Sequence, residues 1–498
     1  MKNFRNTVVA VAALCLTMMG ASLLRAEDGK SAAPPAESTP AAATPSATPS
    51  ASAASPVPTP AEVSSRLQEL QDEMDRIQGE MSSLKKQLGA STTAASPSAI
   101  ITQAAQSDSA PAAPAAQAAP AAPAAPAADQ PSALAAALGP ISVTGFVDGY
   151  YEYNLNHPRQ AFTVPGLSGP FLSSFRTFDG PTNQFSLNMT ELTISKAPDA
   201  AASRLGYTLT FGFGNAENVV NSTEQGAGVP GGGLGYAQPI KEAYMSYLAP
   251  IGKGLQIDFG KFVTPAGAEV IETNANWNYS RGFLFNYSIP FNHYGLRAKY
   301  TFNDKVSLTG YLVNGWNNIT ENNTAKTLGA SLAWTPNKKW TVTQNYLVGP
   351  EQANDNSDWR QLSDTVVAYN ATSKLSLMAN YDYGHDDVNM GPGVPSSSAW
   401  WQGVAGYLRY AFNDKYAFAG RYEYFDDHNG YTTGTKQGLN EFTATFERIV
   451  AKHLITRWEY RRDMSNWAVF AKGGEPPIDH QDTFTGGLIY SFDVKDLK

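Results

Sequence analysis

About sixteen short amphipathic segments between residues 141 and 492 are joined by connections that alternate between short and long. The short connections are turn-forming pairs such as Asn303-Asp304 and Pro336-Asn337. The long connections are 154–182, 216–238, 265–290, 317–324, 350–358, 385–398, 427–436 and 465–480. Strands with tight turns at one end and long loops at the other predict an all-β fold, an antiparallel meander closed into a barrel of about sixteen strands.

Each predicted strand is long enough to cross a bilayer when it is tilted. The predicted strands are 141–153, 183–196, 204–215, 239–250, 254–264, 291–302, 305–316, 325–335, 338–349, 359–370, 373–384, 399–412, 415–426, 437–448, 452–464 and 481–492. In 415–426, the aromatic residues share one face, whereas Arg421 and Glu423 share the other. Lipid does not tolerate such charges, so the apolar face is expected on the outside of a transmembrane barrel. Strand 239–250 has no clean alternation and Lys261 falls on an apolar face, so we expect a bulge or a rim position at each.

The first 26 residues have the pattern of a secretory signal, because Lys2 and Arg5 precede an apolar run that ends near Ala26. A lipoprotein signal at Cys15 is the alternative, and the bulky Leu14 before it argues against lipidation. Cys15 is the only cysteine, so a mature chain would have no thiol chemistry. Secretion and a strand barrel together predict the bacterial outer membrane, with the N-terminal segment in the periplasm.

Two segments rich in Ala and Pro, 27–60 and 90–140, are predicted to be disordered or extended spacers. Between them, 61–89 carries an uninterrupted heptad seam formed by Val63, Leu67, Leu70, Met74, Ile77, Met81, Leu84 and Leu88. This spacing predicts a parallel self-associating coiled coil, with a trimer favoured because it would match the barrel. The alternative is a single amphipathic helix that packs on the barrel or lies on a membrane.

The end of the last strand has the spacing of the signal that the outer-membrane assembly machinery reads. Thr485, Gly487, Tyr490 and Phe492 form this pattern, and a tail, 493–498, follows it. The usual terminal aromatic is the final residue, so the match is good but imperfect.

Several motifs resemble the β-barrel porin-2 (OmpL-like) family over roughly 141–492. They are Asp258-Phe-Gly-Lys-Phe262, Asn278-Tyr-Ser-Arg281, Ile289-Pro-Phe-Asn-His-Tyr-Gly-Leu-Arg297, Asn314-Gly-Trp-Asn-Asn318 and Asn380-Tyr-Asp-Tyr-Gly384. The resemblance implies an outer-membrane porin and does not imply a particular solute.

A sixteen-stranded barrel is too wide for its own side chains to fill, so a folded-in segment is needed to restrict the channel. The connection 265–290 is the candidate because of its length and its aromatic residues. We expect its carboxylates Glu269 and Glu272, with Arg281 nearby, to form an acidic edge. The alternative is that part of 265–290 forms an extra strand pair.

Inward-facing basic residues are predicted to lie opposite this acidic edge. They are Arg297, Lys299, Arg409, Arg421, Arg457 and Arg461. A basic wall across from carboxylates would create a transverse field that orients polar solutes. The alternative is that the arginines only neutralise acidic residues on neighbouring strands, namely Glu423, Glu441, Glu447 and Glu459.

Other classes of function are disfavoured. A net charge of -8 excludes a nucleic-acid partner. The clusters 385–387 and 426–428 are interpreted as solvated loop charge rather than metal sites. Six scattered histidines without a nucleophile motif make an enzyme a weak alternative. A tether to the periplasm or cell wall through 27–138 stays open, and diffusion through the barrel would need no cofactor.

Overall fold

The structure is a computed structural model that describes residues 141–159, 162–164, 167–169, 172–222, 237–391 and 395–494. The signal, both spacers and the heptad segment lie outside the described residues, as does most of the C-terminal tail. No helix in these described ranges is long and apolar enough to cross a membrane.

The described residues form twenty strands and three short helical segments. The strands are β1 (Ser142–Asn154), β2 (Phe162–Val164), β3 (Leu167–Gly169), β4 (Gln184–Lys196), β5 (Leu205–Phe213), β6 (Ile240–Ala249), β7 (Leu255–Val263), β8 (Asn292–Asn303), β9 (Val306–Val313), β10 (Thr327–Asn337), β11 (Trp340–Pro350), β12 (Trp359–Asn370), β13 (Leu375–Val388), β14 (Ser397–Asn413), β15 (Tyr416–Asp427), β16 (Gln437–Ala451), β17 (Leu454–Ser465), β18 (Phe470–Lys472), β19 (Glu475–Ile478) and β20 (His480–Asp493). Helix α1 covers Asn215–Val220, a 3-10 helix covers Thr273–Ala275 and a π-helix covers Leu284–Ser288.

Sixteen of these strands form one closed antiparallel barrel, which confirms the predicted fold class and strand count. The order runs β1-β20-β17-β16-β15-β14-β13-β12-β11-β10-β9-β8-β7-β6-β5-β4 and returns to β1. The closing pair of strands extends from Thr144 opposite Asp493 to Asn154 opposite Thr483. The hairpins β2-β3 and β18-β19 and helix α1 lie within long connections and were not predicted.

The side-chain alternation also follows the prediction. Tyr422 is 55% exposed on the outer face, whereas Arg421 and Glu423 beside it are buried on the inner face. The main clusters of buried apolar residues lie inside the barrel, where loop residues such as Phe178 and Phe283 pack. The barrel therefore has an apolar outer surface and a charged interior filled by loops, as expected for a barrel that spans a bilayer.

The predicted irregularity in the fourth barrel strand is a bulge. Thr210 pairs with Glu242 but Phe211 pairs with Ile240, so Lys241 is an extra residue in β6. Both Lys241 and Glu242 consequently contact the barrel interior. At Lys261, by contrast, strand pairing continues in register on both sides, so the expected bulge is absent. Gly260, with φ of 138°, precedes it, and the Lys261 amine is buried against the side chain of Asn221.

Candidate functional site

The connection 265–290 between β7 and β8, called the inserted loop below, folds into the barrel interior. Tyr279, Arg281 and Phe283 in its centre are fully buried. It contains a 3-10 helix and a π-helix but no strand, so the alternative of an extra strand pair is wrong.

Arginines of the barrel wall donate hydrogen bonds to backbone carbonyls of the inserted loop. On β17, Arg457 reaches the carbonyl oxygens of Thr273 and Asn276, each at 2.6 Å. Arg461, four residues further along the same strand, reaches the carbonyl of Arg281 at 2.6 Å. These contacts use charged donors, which form the stronger class of hydrogen bond.

Glutamates of the same wall accept hydrogen bonds from backbone amides of the inserted loop. Glu459 accepts from the amides of Tyr279 at 2.6 Å and Ser280 at 3.0 Å. Glu423 accepts from the two consecutive amides 283 and 284, each at 2.5 Å. The wall therefore binds both the N–H donors and the C=O acceptors of the loop backbone, and this fixes the path of the loop.

The loop carboxylate Glu269 contacts the wall directly. Its Oε1 lies 2.5 Å from Nη1 of Arg421, and Arg421 also pairs with Glu441 at 2.6 Å. All three side chains are buried. The expected open field between an acidic edge and a basic wall is therefore corrected here, because these charges neutralise each other in contact instead of facing across a water-filled gap.

The alternative, neutralisation between neighbouring strands, describes several of the wall arginines. Glu447 pairs with Arg457 at 2.8 Å and with Arg409 at 2.7 Å, and Arg461 pairs with Glu441 at 3.5 Å. Arg461 also pairs with Asp463, at 2.6 Å. Glu423 and Glu459, which were expected to take part, bind loop amides instead.

The second loop carboxylate, Glu272, pairs with Lys241 of the β6 bulge, which also pairs with Glu191. The Glu272 side chain keeps 26% exposure. Arg281 has a structural role within the loop, since its guanidinium donates to the carbonyls of Val270, Ile271 and Tyr279. Lys241 was not predicted, because a bulge changes which residues face inward and the sequence indicated an irregularity in 239–250 without identifying the extra residue.

Four of the predicted charged residues keep partial exposure inside the barrel. Arg297 pairs with Asp258 at 2.7 Å and its side chain remains 16% exposed. Arg409 remains 18% exposed, and Lys299 and Glu272 are also half-buried. These four are the predicted site charges that are not fully buried.

A second interior ion cluster was missed by the sequence analysis. Arg176, in the first long connection, pairs with Glu152 and Asp463 at 3.2 Å each and with Asp179. The whole cluster is buried, so residues 172–182 also fold inward. The sequence signal that could have identified this segment is its aromatic residues Phe175 and Phe178, because aromatic residues also identified the inserted loop.

Gly487 of the predicted assembly pattern contacts the inserted loop. A Cβ at Gly487 would lie 2.4 Å from two ring atoms of Tyr279, which is closer than side chains approach. The Tyr279 hydroxyl donates to Asp148 of β1 at 2.8 Å. Packing against Tyr279 therefore requires glycine at position 487 in the folded barrel, in addition to any role of Gly487 in assembly.

The two polar clusters lie at strand ends, because 385–387 belong to β13 and 426–427 belong to β15. Asp386 and Asp427 are fully buried, so the interpretation as solvated loop charge is wrong for these two residues. Asp386 pairs with Arg360 at 2.7 Å. Asp427 accepts backbone hydrogen bonds from the turn at 431–433, and His428 stacks on Trp400. Within the described residues, no group of three or more His, Cys, Asp or Glu side chains is placed to hold a metal ion.

A closed barrel of sixteen strands with charged side chains and a loop folded inside it defines an outer-membrane porin. The chain belongs to the family described as "Putative beta-barrel porin-2, OmpL-like", whose model matches residues 140–492. The family resemblance noted in the sequence is therefore confirmed, and with it the bacterial outer membrane as the location.

The comparison with solved structures found porins and an outer membrane channel. An anion-selective porin from Comamonas acidovorans is 10% identical with a TM-score of 0.47, covering 71% of this chain and 99% of that chain. The outer membrane channel DcaP of Acinetobacter baumannii is 12% identical with a TM-score of 0.47, covering 71% of this chain and 97% of that chain. OmpT of Vibrio cholerae is 12% identical with a TM-score of 0.44 over the same shares. The comparison with curated protein sequences gave no match.

Proposed function

We propose that this porin is a passive, non-enzymatic channel for small hydrophilic solutes or ions, in which the inserted loop restricts the passage. The observation that supports this most directly is the attachment of the loop to β15 and β17. Glu423 and Glu459 hold its amides, while Arg457 and Arg461 hold its carbonyls. A loop whose backbone amides and carbonyls are both hydrogen-bonded to the wall is a rigid obstacle rather than a mobile segment.

The half-buried charges supply the selectivity in this proposal. Arg297, Lys299 and Arg409 contribute positive charge and Glu272 contributes negative charge. They act on solutes that pass beside the inserted loop, whereas the fully buried pairs act as structural supports. Charged side chains that line a pore set its ion preference. No cofactor takes part.

The test is single-channel recording of the refolded full chain in planar lipid bilayers, with reversal potentials measured in a salt gradient. We expect discrete conductance steps and a changed reversal potential in the double variant Glu269→Gln/Glu272→Gln. The matched control is Asp304→Asn/Asp414→Asn, which removes two carboxylates from exposed short turns. A folded barrel without conductance would refute the channel, and a double variant identical to the wild type would refute the role of the inserted loop.

A second proposal concerns the N-terminal region. We propose that residues 1–26 are a cleaved secretion signal and that the heptad segment forms a periplasmic coiled coil that joins three barrels. The eight-residue seam from Val63 to Leu88 supports this. Native mass spectrometry of a Leu70→Lys/Ile77→Lys variant should show monomers where the wild type shows trimers, and trimers in both would overturn it.

The same region could give the porin a structural role as an envelope tether. The proposed partners of the barrel itself are outer-membrane lipid and the assembly machinery. The Ala/Pro-rich composition of 27–60 and 90–140 suits a spacer that reaches across the periplasm. A chain without residues 27–138 separates the two roles. Loss of cell-wall attachment with intact conductance supports tethering, whereas unchanged attachment contradicts it.

A further inference from the structure

Two carboxylates face each other inside the barrel without a positive partner. Asp364 on β12 is directly opposite Asp382 on β13, and both are fully buried. The amide nitrogen of Asn380 bridges them, donating to Asp364 at 2.7 Å and to Asp382 at 2.8 Å. Like charges directly opposite each other on neighbouring strands destabilise a sheet, so this pair needs compensation.

The ion pairing that compensates many of the buried carboxylates in the barrel is missing at this pair. Buried carboxylates such as Glu441 and Asp386 pair with arginines. Within the described residues, neither Asp364 nor Asp382 takes part in an ion pair, and their hydrogen-bond donors are side-chain amides. The internal segments outside the description, 160–161, 165–166, 170–171, 223–236 and 392–394, contain no Lys, Arg or His.

Unpaired oxygen atoms surround the same carboxylates. Asp382 Oδ2 is buried and has no hydrogen-bond partner. Asn345 donates through Nδ2 to Asp364 at 2.6 Å, while its Oδ1 is buried without a partner. The buried hydroxyl of Ser288 lies next to the Asp382 carboxylate and has no other partner. Buried oxygens without donors are costly unless another group binds them.

We propose that Asp364 and Asp382, with the oxygens of Asn345 and Ser288, bind a calcium-like divalent cation inside the barrel. Two carboxylates balance its charge, and neutral oxygens extend its coordination, as hard cations require. The absence of His and Cys from this set disfavours zinc and copper. The site goes beyond the proposed channel function, and its occupancy does not depend on conduction.

The site lies where both ends of the inserted loop meet the wall. The Pro265 carbonyl accepts from Asn345 Nδ2 at 2.9 Å, and the Ala268 amide donates to Asn380 Oδ1 at 2.9 Å. At the other end, the indole of Trp401 donates to the Ser288 carbonyl at 3.2 Å. A bound cation would therefore fasten the two ends of the inserted loop to β11 and β13.

Terbium luminescence tests the site, because Tb³⁺ occupies calcium sites and the buried Trp401 next to Ser288 can sensitise it. The full chain, folded in detergent and freed of metal with EDTA, is titrated with Tb³⁺ and then with Ca²⁺. We expect luminescence that Ca²⁺ displaces, and its loss in Asp364→Asn/Asp382→Asn. The charge-matched control Asp304→Asn/Asp414→Asn should keep it.

Folding of each variant is checked by its heat-dependent migration in gels, so that a misfolded barrel is not mistaken for a lost site. Luminescence that Ca²⁺ does not displace, or that survives in Asp364→Asn/Asp382→Asn, overturns the proposal. A wild-type unfolding temperature that responds to pH but not to Ca²⁺ also overturns it, in favour of a shared proton. Conductance is recorded separately, so a failure of the channel proposal remains distinguishable.

Discussion

Arg421 Nη1 lies 2.5 Å from Glu269 Oε1, and this ion pair joins the barrel wall to the inserted loop. The same guanidinium donates to the Ser280 carbonyl at 2.7 Å and pairs with Glu441 of β16. One wall residue thus holds the loop at two points that are far apart along it. This residue therefore helps to fix the position of the loop across the barrel.

Replacing Arg421 with alanine should release the inserted loop. The variant leaves Glu269 and Glu441 buried without their partner, which costs about 3–5 kcal/mol in comparable pairs. We expect a lower unfolding temperature and a larger, noisier single-channel conductance. Lys326→Ala is the control, because it removes a cation from the more exposed pair with Glu321. An unchanged conductance in a folded Arg421→Ala barrel would contradict the role of this pair.

Glu272 and Lys299 should shift ion preference in opposite directions. Glu272→Gln removes negative charge from the passage, while Lys241 keeps its second partner Glu191. Lys299→Gln removes positive charge from the half-buried set. Reversal potentials in a KCl gradient should move toward anion preference in the first variant and toward cation preference in the second. Unchanged reversal potentials in both variants would show that neither side chain acts on the permeating ions.

The barrel could be predicted from the sequence because its signals are local. Strand length, turn residues and alternation each act over a few positions, and β12, predicted at 359–370, is found at Trp359–Asn370. Connection length and aromatic content likewise identified 265–290 as the segment that enters the interior. These properties need no knowledge of distant contacts.

The pairing of interior charges could not be predicted, because it depends on where the inserted loop lies. Alternation correctly placed Arg421 inside, but its partner Glu269 is 152 residues away in sequence. The carboxylate pair Asp364 and Asp382 was not predicted although both fall on inward positions of predicted strands, because their contact depends on the register between β12 and β13. Lys241 was hidden by a bulge that reverses the alternation.

Gly487→Ala should disturb the folded barrel through Tyr279. An added Cβ would overlap the Tyr279 ring, whose hydroxyl holds Asp148. We expect a lower unfolding temperature for Gly487→Ala, and little further loss when Gly487→Ala is added to Tyr279→Ala. Gly406→Ala is the control, because a Cβ there meets nothing within 4 Å. Additive losses in this double-mutant cycle would favour an assembly role for Gly487 over packing.

Glu351, just beyond the end of β11, should make the stability of the neighbouring connection 314–326 depend on pH. Its carboxylate accepts hydrogen bonds from the Trp316 amide at 2.7 Å and the Thr327 hydroxyl at 2.5 Å. Burial raises the pKa of Glu351 from 4.5 to about 7, so the folded state binds a proton that the unfolded state releases. The resulting stabilisation is complete below pH 4.5 and is lost as the pH rises through 7.

Hydrogen exchange of the amides in 314–326, measured between these pH values and corrected for intrinsic rates, should show protection that falls as the pH rises. Glu351→Gln keeps an acceptor oxygen for the Trp316 amide but cannot ionise. In that variant we expect protection that is high and independent of pH over the same range. Equal pH dependence in the wild type and in Glu351→Gln would assign the effect to another group, because the two proteins differ only in this titration.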